Sequence, residues 1–218
     1  KACLVFVHAS PDAPAVDVYV YGEKVVTGLK YGSESGFRDL PAGAHHVQIA
    51  ATGADPGQAV IDLPALQLVA GKASEVAAVG LLAGITALVS EVDVHAIAPS
   101  AAGLPRARVR IVHAVPGAPA VDVSVIGGDV TTRLATGLGF GAAGGYTEVT
   151  AGSHAVRVTP SGTGNVVSSL ASFAFLGDTV YSVYALISPT DGSVFLLAVA
   201  TSASRPSASA SPEATPAG

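Results

Sequence analysis

The residues best suited to chemistry are a histidine and an aspartate that bracket one motif. His8 and Asp17 belong to His8-Ala-Ser-Pro-Asp-Ala-Pro-Ala-Val-Asp-Val-Tyr-Val20, and they return as His113 and Asp122 in His113-Ala-Val-Pro-Gly-Ala-Pro-Ala-Val-Asp-Val-Ser-Val125. An imidazole beside a carboxylate can shuttle a proton or hold a metal ion. Such a site needs several converging groups, and the second copy loses obvious members: Ser10 becomes Val115 and Asp12 becomes Gly117. The structural reading is therefore preferred. Pro11 and Pro14, repeated as Pro116 and Pro119, fix φ and remove backbone donors, so the segment is a stiff bend between strands. The His and Asp side chains are expected to hydrogen-bond the turn backbone.

Other candidates are weaker. His45 and His46 are neighbours on an alternating strand, so they point to opposite faces, and His46 becomes Ala155 in the second copy. Gly137-Leu-Gly-Phe-Gly-Ala-Ala-Gly-Gly145 has Gly-x-Gly spacing but lies between strands instead of opening a helix, which argues against a phosphate cradle. Tyr19, Tyr21 and Tyr31 could make a stacking platform for sugars, although core and edge packing suits them better. No nucleophile–base or carboxylate pair recurs in both copies, so neither an enzyme nor a cofactor or metal site is expected.

The motif is part of a longer repeat. Gly22 matches Gly127, Thr27-Gly-Leu-Lys-Tyr-Gly32 matches Thr136-Gly-Leu-Gly-Phe-Gly141, and Ala42-Gly-Ala-His-His-Val47 matches Ala151-Gly-Ser-His-Ala-Val156. Alternation of apolar and polar residues, punctuated by Gly, Pro and Asp at roughly ten-residue spacing, predicts short strands. Pro64 is expected at a sheet edge or a strand break. The apolar run Val76–Ser90 is too short for the roughly twenty residues of a spanning helix. Its counterpart contains Ser188-Pro-Thr-Asp-Gly192, a turn, so the run is predicted to be a hairpin of two buried strands and no transmembrane segment is expected. The fold class is all-β, two tandem antiparallel β-sandwich (Ig-like) domains. They are placed at residues 1–98 and 106–201, joined by a linker at 99–105 and followed by a Ser/Ala/Pro-rich low-complexity tail at 202–218. That tail reads as a stalk suited to O-glycans.

Composition limits the partners. Of the 218 residues 50% are hydrophobic and only 12% charged, against roughly a quarter charged in ordinary soluble domains. Up to Leu104 there are 5 basic and 10 acidic residues, and from Pro105 onward 6 of each, which leaves no footprint for nucleic acid. A surface so poor in charge suits burial in an assembly or cover by glycans. Cys3 is the single cysteine, so no disulfide within the chain is expected. The sequence starts at Lys1 and contains no methionine, and a strand pattern begins within a few residues, as expected of a secreted chain whose signal peptide has been removed.

Residues His8 to Gly22, with Tyr31-Gly32 and Pro41-Ala-Gly43, closely resemble a secreted prokaryotic family known as domain of unknown function 4397, and both copies share the likeness. The resemblance implies an extracytoplasmic, often cell-surface β-domain used in repeats, and it brings no catalytic residue. The function expected is a non-enzymatic extracellular structural protein that self-associates into a filament or surface layer. Its candidate assembly strand is Leu4, Val5, Phe6 and Val7, apolar enough to be donated to a neighbour's sheet edge. The alternative is a surface-displayed adhesion module for protein ligands or cell-envelope glycans.

Overall fold

The computed structural model describes residues 1–203. The first domain comprises β1 (Ala2–Ala9), β2 (Val16–Val20), β3 (Glu23–Leu29), β4 (Ser33–Glu34), β5 (Arg38–Leu40), β6 (Gly43–Ala51), β7 (Ile61–Leu68), β8 (Ala73–Val79) and β9 (Thr86–Val92). The second comprises β10 (Arg106–His113), β11 (Val121–Gly127), β12 (Val130–Leu138), β13 (Thr147–Thr150), β14 (Gly152–Pro160), β15 (Ser168–Phe175), β16 (Thr179–Ile187) and β17 (Val194–Ser202). Among the described residues there is no α-helix, and no helix is long and apolar enough to cross a membrane. Two tandem β-sandwiches are what the alternation predicted.

Each domain has two sheets. In the first, β3-β2-β6-β7 faces a sheet ordered β4-β1-β8-β9, with β5 also paired to β1. In the second, β12-β11-β14-β15 faces β13-β10-β16-β17. Val18, Val47, Ile49, Leu4, Phe6 and Val76 fill the first sandwich, and Val123, Val156, Ile111, Phe175 and Val183 the second. The β2–β3 hairpin closes on Tyr21-Gly22, both with positive φ (51° and 79°), the two-residue turn whose twist matches the flanking strands. Pro64 falls where expected, on the edge strand β7 and at a bulge opposite β6, where a missing N–H breaks no ladder bond.

Three features depart from the expectations or go beyond them. First, the sandwiches are not purely antiparallel: β1 pairs parallel with β8, and β10 parallel with β16. Strands so far apart in sequence have the long crossover that parallel pairing requires. Second, the domains do not merely follow one another; their inner sheets pack face to face. Val5, Val7, Ala77 and Val79 of the first domain form one cluster with Val112, Tyr184, Leu186 and Val199 of the second. The molecule is thus a stack of four sheets with three apolar layers.

Third, the proposed assembly strand is not available for donation. Leu4 and Phe6 point into the first sandwich, Val5 and Val7 into the inter-domain layer, and β1 is bonded on both edges, to β8 and to β4 and β5. Its unbroken apolar run reflects burial of both faces, not an empty edge. The same double burial explains why β8 contributes Val76-Ala-Ala-Val to the most apolar stretch. At the other end, β17 runs to Ser202 and Ala203 is buried, past the expected boundary at 201. The remainder of the expected tail lies outside the described residues.

Candidate functional site

The signature turns are built alike in both copies. The motif histidine sits at the end of β10 and one residue before the end of β1, and it is fully buried in both copies. Nε2 of His8 lies 2.9 Å from the Pro14 carbonyl, and its Nδ1 accepts from the Ser10 N–H at 3.4 Å. Nε2 of His113 lies 3.1 Å from the Pro119 carbonyl, and its Nδ1 accepts from the Val115 N–H at 3.3 Å. One nitrogen donates and the other accepts, the pattern of a neutral imidazole with both positions filled. The backbone carbonyl of each histidine takes the N–H of the glycine in Tyr31-Gly32 or Phe140-Gly141, at 2.9 and 2.8 Å. The aromatic before that glycine stands edge-on to the imidazole, at 6.1 and 6.4 Å between centroids. The repeated aromatic–glycine pair is therefore a packing partner of the histidine.

The motif aspartate holds a bulge. Gly28 and Gly137 adopt positive φ (65° and 59°) where β3 and β12 break register with β2 and β11. Their N–H groups, turned out of the ladder, are accepted by Asp17 Oδ1 at 2.8 Å and Asp122 Oδ1 at 2.7 Å. Asp17 also accepts from Gly53 N–H at 3.1 Å and Lys24 Nζ at 2.6 Å. Burial raises its pKa, but Lys24 and the two N–H donors outweigh this and hold it at about 2. These carboxylates accept bonds and stay ionised; they are not proton reservoirs near neutrality.

The non-repeated Asp12 accepts the Leu82 N–H at 2.8 Å, tying the motif turn to the β8–β9 loop. In the second copy Asp191 instead closes its own turn, accepting from Ser193 N–H and Oγ. That explains why Gly117 is tolerated at the equivalent of Asp12. A second histidine pin went unrecognised in the sequence: Nε2 of His45 and of His154 each lie 2.8 Å from a carbonyl, that of Pro41 and that of Thr150. Its signal was present, since His45 repeats as His154 while His46 does not. His46 instead faces Asp62 at the surface, at 2.6 Å.

The remaining candidates are not brought together. Tyr19 is buried and donates to the Ala54 carbonyl, Tyr21 is exposed and donates to the Ala44 carbonyl, and Tyr31 donates to the Ile187 carbonyl across the domain interface. They form no common platform. In the glycine-rich stretch the N–H groups of Gly137, Gly141 and Gly144 go to Asp122, His113 and Ile111, so the loop backbone is tied to its own domain. Cys3 is half-buried, and its Sγ donates to Asp39 Oδ1 at 2.9 Å. Among the described residues no three His, Cys, Asp or Glu side chains converge on a common point.

The most concentrated polar site lies between the domains. Arg110 Nη2 meets Glu75 Oε2 at 2.9 Å with both side chains buried. Its other donors reach Ser182 Oγ (2.8 Å), Ser90 Oγ (2.9 Å) and the Glu91 carbonyl (3.0 Å), and its guanidinium lies 4.8 Å from the Tyr146 ring. Tyr184 donates to the same Glu75 oxygen at 2.9 Å. Burial, then the Glu75 charge, push the Tyr184 hydroxyl well above its ordinary pKa, so it remains a donor. Val5 faces Glu75 across β1–β8, and Arg110 faces Ser182 at the same register of β10–β16. The ion pair thus joins positions at which the two copies differ. Arg108 secures the connection, bonding the Asp93 and His95 carbonyls at 3.1 and 2.9 Å.

One apolar cavity of about 200 Å³ opens at the motif end of the second sandwich, lined by Val115, Pro119, Val167, Ile187 and Val194 among others.

These features define a class: a tandem β-sandwich protein whose marker residues fasten turns. A family model described as a domain of unknown function, DUF4397, matches residues 2–104 and again residues 107–211, and the chain belongs to that family with two tandem copies. Among curated proteins none matches the sequence. Among solved structures, that of a candidate cell adhesion protein from Bacteroides uniformis is similar over 92% of this chain and 98% of that one. At 10% identity and a TM-score of 0.32 it carries no argument about function.

Proposed function

We propose that the protein is a non-enzymatic structural component of the cell exterior that self-associates into a filament or surface layer. The observation that carries this reading is where the marker residues go. His8, His113, Asp17 and Asp122 are committed to backbone partners in both copies, which suits a repeat kept for its shape. The inter-domain layer adds support, because a rigid block transmits load and presents fixed edges to neighbours. The sparse charge fits a surface that is covered by other copies. Sedimentation velocity of the full chain over a wide concentration range tests it. Mass that grows with concentration is expected, and a monomer at the highest concentration overturns the proposal.

A second reading, a surface-displayed adhesion module, is favoured by the cavity beside Val115. Its apolar lining suits an aliphatic or aromatic side chain of a protein ligand better than a glycan, which needs polar groups to orient it. Enclosed apolar cavities of this order accept guests of benzene size.

A further inference from the structure

The outer sheets end in edge strands, and an edge left open invites pairing unless charge, proline or a bulge blunts it. β3 begins with Glu23-Lys24 and is bulged, and β12 carries Arg133 and is bulged as well. β7 and β15 are equivalent strands in the two copies. Leu63 and Leu170 face Val47 and Val156, Asp62 and Ser169 face Gln48 and Arg157, and both strands bulge at the next position. The register makes Pro64 the counterpart of Ala171. The first copy therefore guards this edge with a carboxylate and a proline, whereas the second has serine and alanine there. From Ser168 to Phe175 the strand carries no charge and no proline, and around it Val166, Val167, Leu170 and Leu176 are exposed, from 40% at Leu170 to 65% at Leu176.

We propose that β15 is a self-association edge whose occupant is β15 of a second copy, paired antiparallel about a two-fold axis. The choice of partner follows from charge. In a two-fold pairing a strand lies opposite its own residues, so a charge at or beside the axis would face or flank its own copy. β15 has none, and it can meet itself without opposition. The pairing joins two four-stranded outer sheets into one of eight strands and covers the exposed valines and leucines. An isologous contact closes on itself, so it yields a dimer, and a filament or layer extends from that dimer through another edge. The inference rests on the self-association proposed above and names its first contact.

The test moves the first copy's guards onto the second. Ser169→Asp with Ala171→Pro places in β15 residues that β7 accommodates at the same bulge, so the fold is expected to survive, and circular dichroism checks that it does. In sedimentation velocity the unaltered full chain is expected at twice the monomer mass or more, and the double variant at half that value. Hydrogen exchange supplies a measurement free of substitution: amides of Ser168–Phe175 should gain protection on going from dilute to concentrated unaltered protein. If the unaltered chain associates but the folded variant associates equally, or β15 gains no protection, the contact lies elsewhere, such as on β17. The β15 assignment then fails while self-association stands. A chain that stays monomeric overturns both.

Discussion

At the scale of single residues, the marker side chains act as fasteners and their protonation follows from that. Asp17 is held at about 2, below its ordinary 3.8, because Lys24 and two N–H donors outweigh the cost of burial. The folded chain releases this proton more readily than the unfolded one, so the carboxylate's contribution is complete above about pH 4 and is lost as pH falls through about 2. His8 has the same sign at higher pH. Burial depresses its pKa below the ordinary 6.5 against the opposing pull of the Pro14 carbonyl. The unfolded chain therefore takes up the proton first, and stability declines as pH falls below about 6.5. Thermal unfolding followed by circular dichroism should show a falling Tm between pH 7 and 5 and a further fall below pH 4. Asp17→Asn should destabilise by about 1–3 kcal/mol at pH 7 and flatten only the lower limb. A lower limb unchanged in the variant would remove Asp17 from this role. The repeat itself disclosed the structural role of His8 and Asp17, since Ser10 and Asp12 vanish from the second copy. The His45–His154 pin was equally repeated, but His45 was weighed only together with the adjacent His46, whose loss in the second copy set both aside.

At the scale of elements, the strands and their breaks were legible because period-two alternation and Pro64 each have a local cause. The pairing partners were not. Whether β1 lies at an edge or at the centre of a sheet depends on residues far along the chain, and an apolar run such as Ala2–Val7 reads the same for a strand buried on both faces and for one awaiting a partner. The Arg110–Glu75 pair was illegible for the same reason, although charges inside otherwise apolar strands, at positions where the copies differ, were its trace. Removing one member of a buried pair leaves the other uncompensated. Arg110→Met is expected to cost about 3–5 kcal/mol, and Arg110→Met with Glu75→Leu to recover much of it. Scanning calorimetry of the unaltered chain should give one transition, because the domains share the Val5–Tyr184 layer, and Arg110→Met should lower or split it. Two separate transitions in the unaltered chain would show the domains to be independent.

At the scale of the whole molecule, the copies have diverged in two places that matter for assembly. Inside, Glu75 and Arg110 replace Ser and Val of the opposite copy, so the first inner sheet prefers the second to another of its own kind. Outside, Asp62 and Pro64 guard one edge and Ser169 and Ala171 leave its equivalent open. One divergence locks the two domains into a block, and the other gives the block a sticky side. The measurement that tests this account most directly is electron microscopy of the native, cell-derived protein prepared without denaturation. Regular filaments or layers built from four-sheet blocks are predicted. Dispersed single particles at every concentration would contradict the structural role and turn attention to the cavity beside Val115.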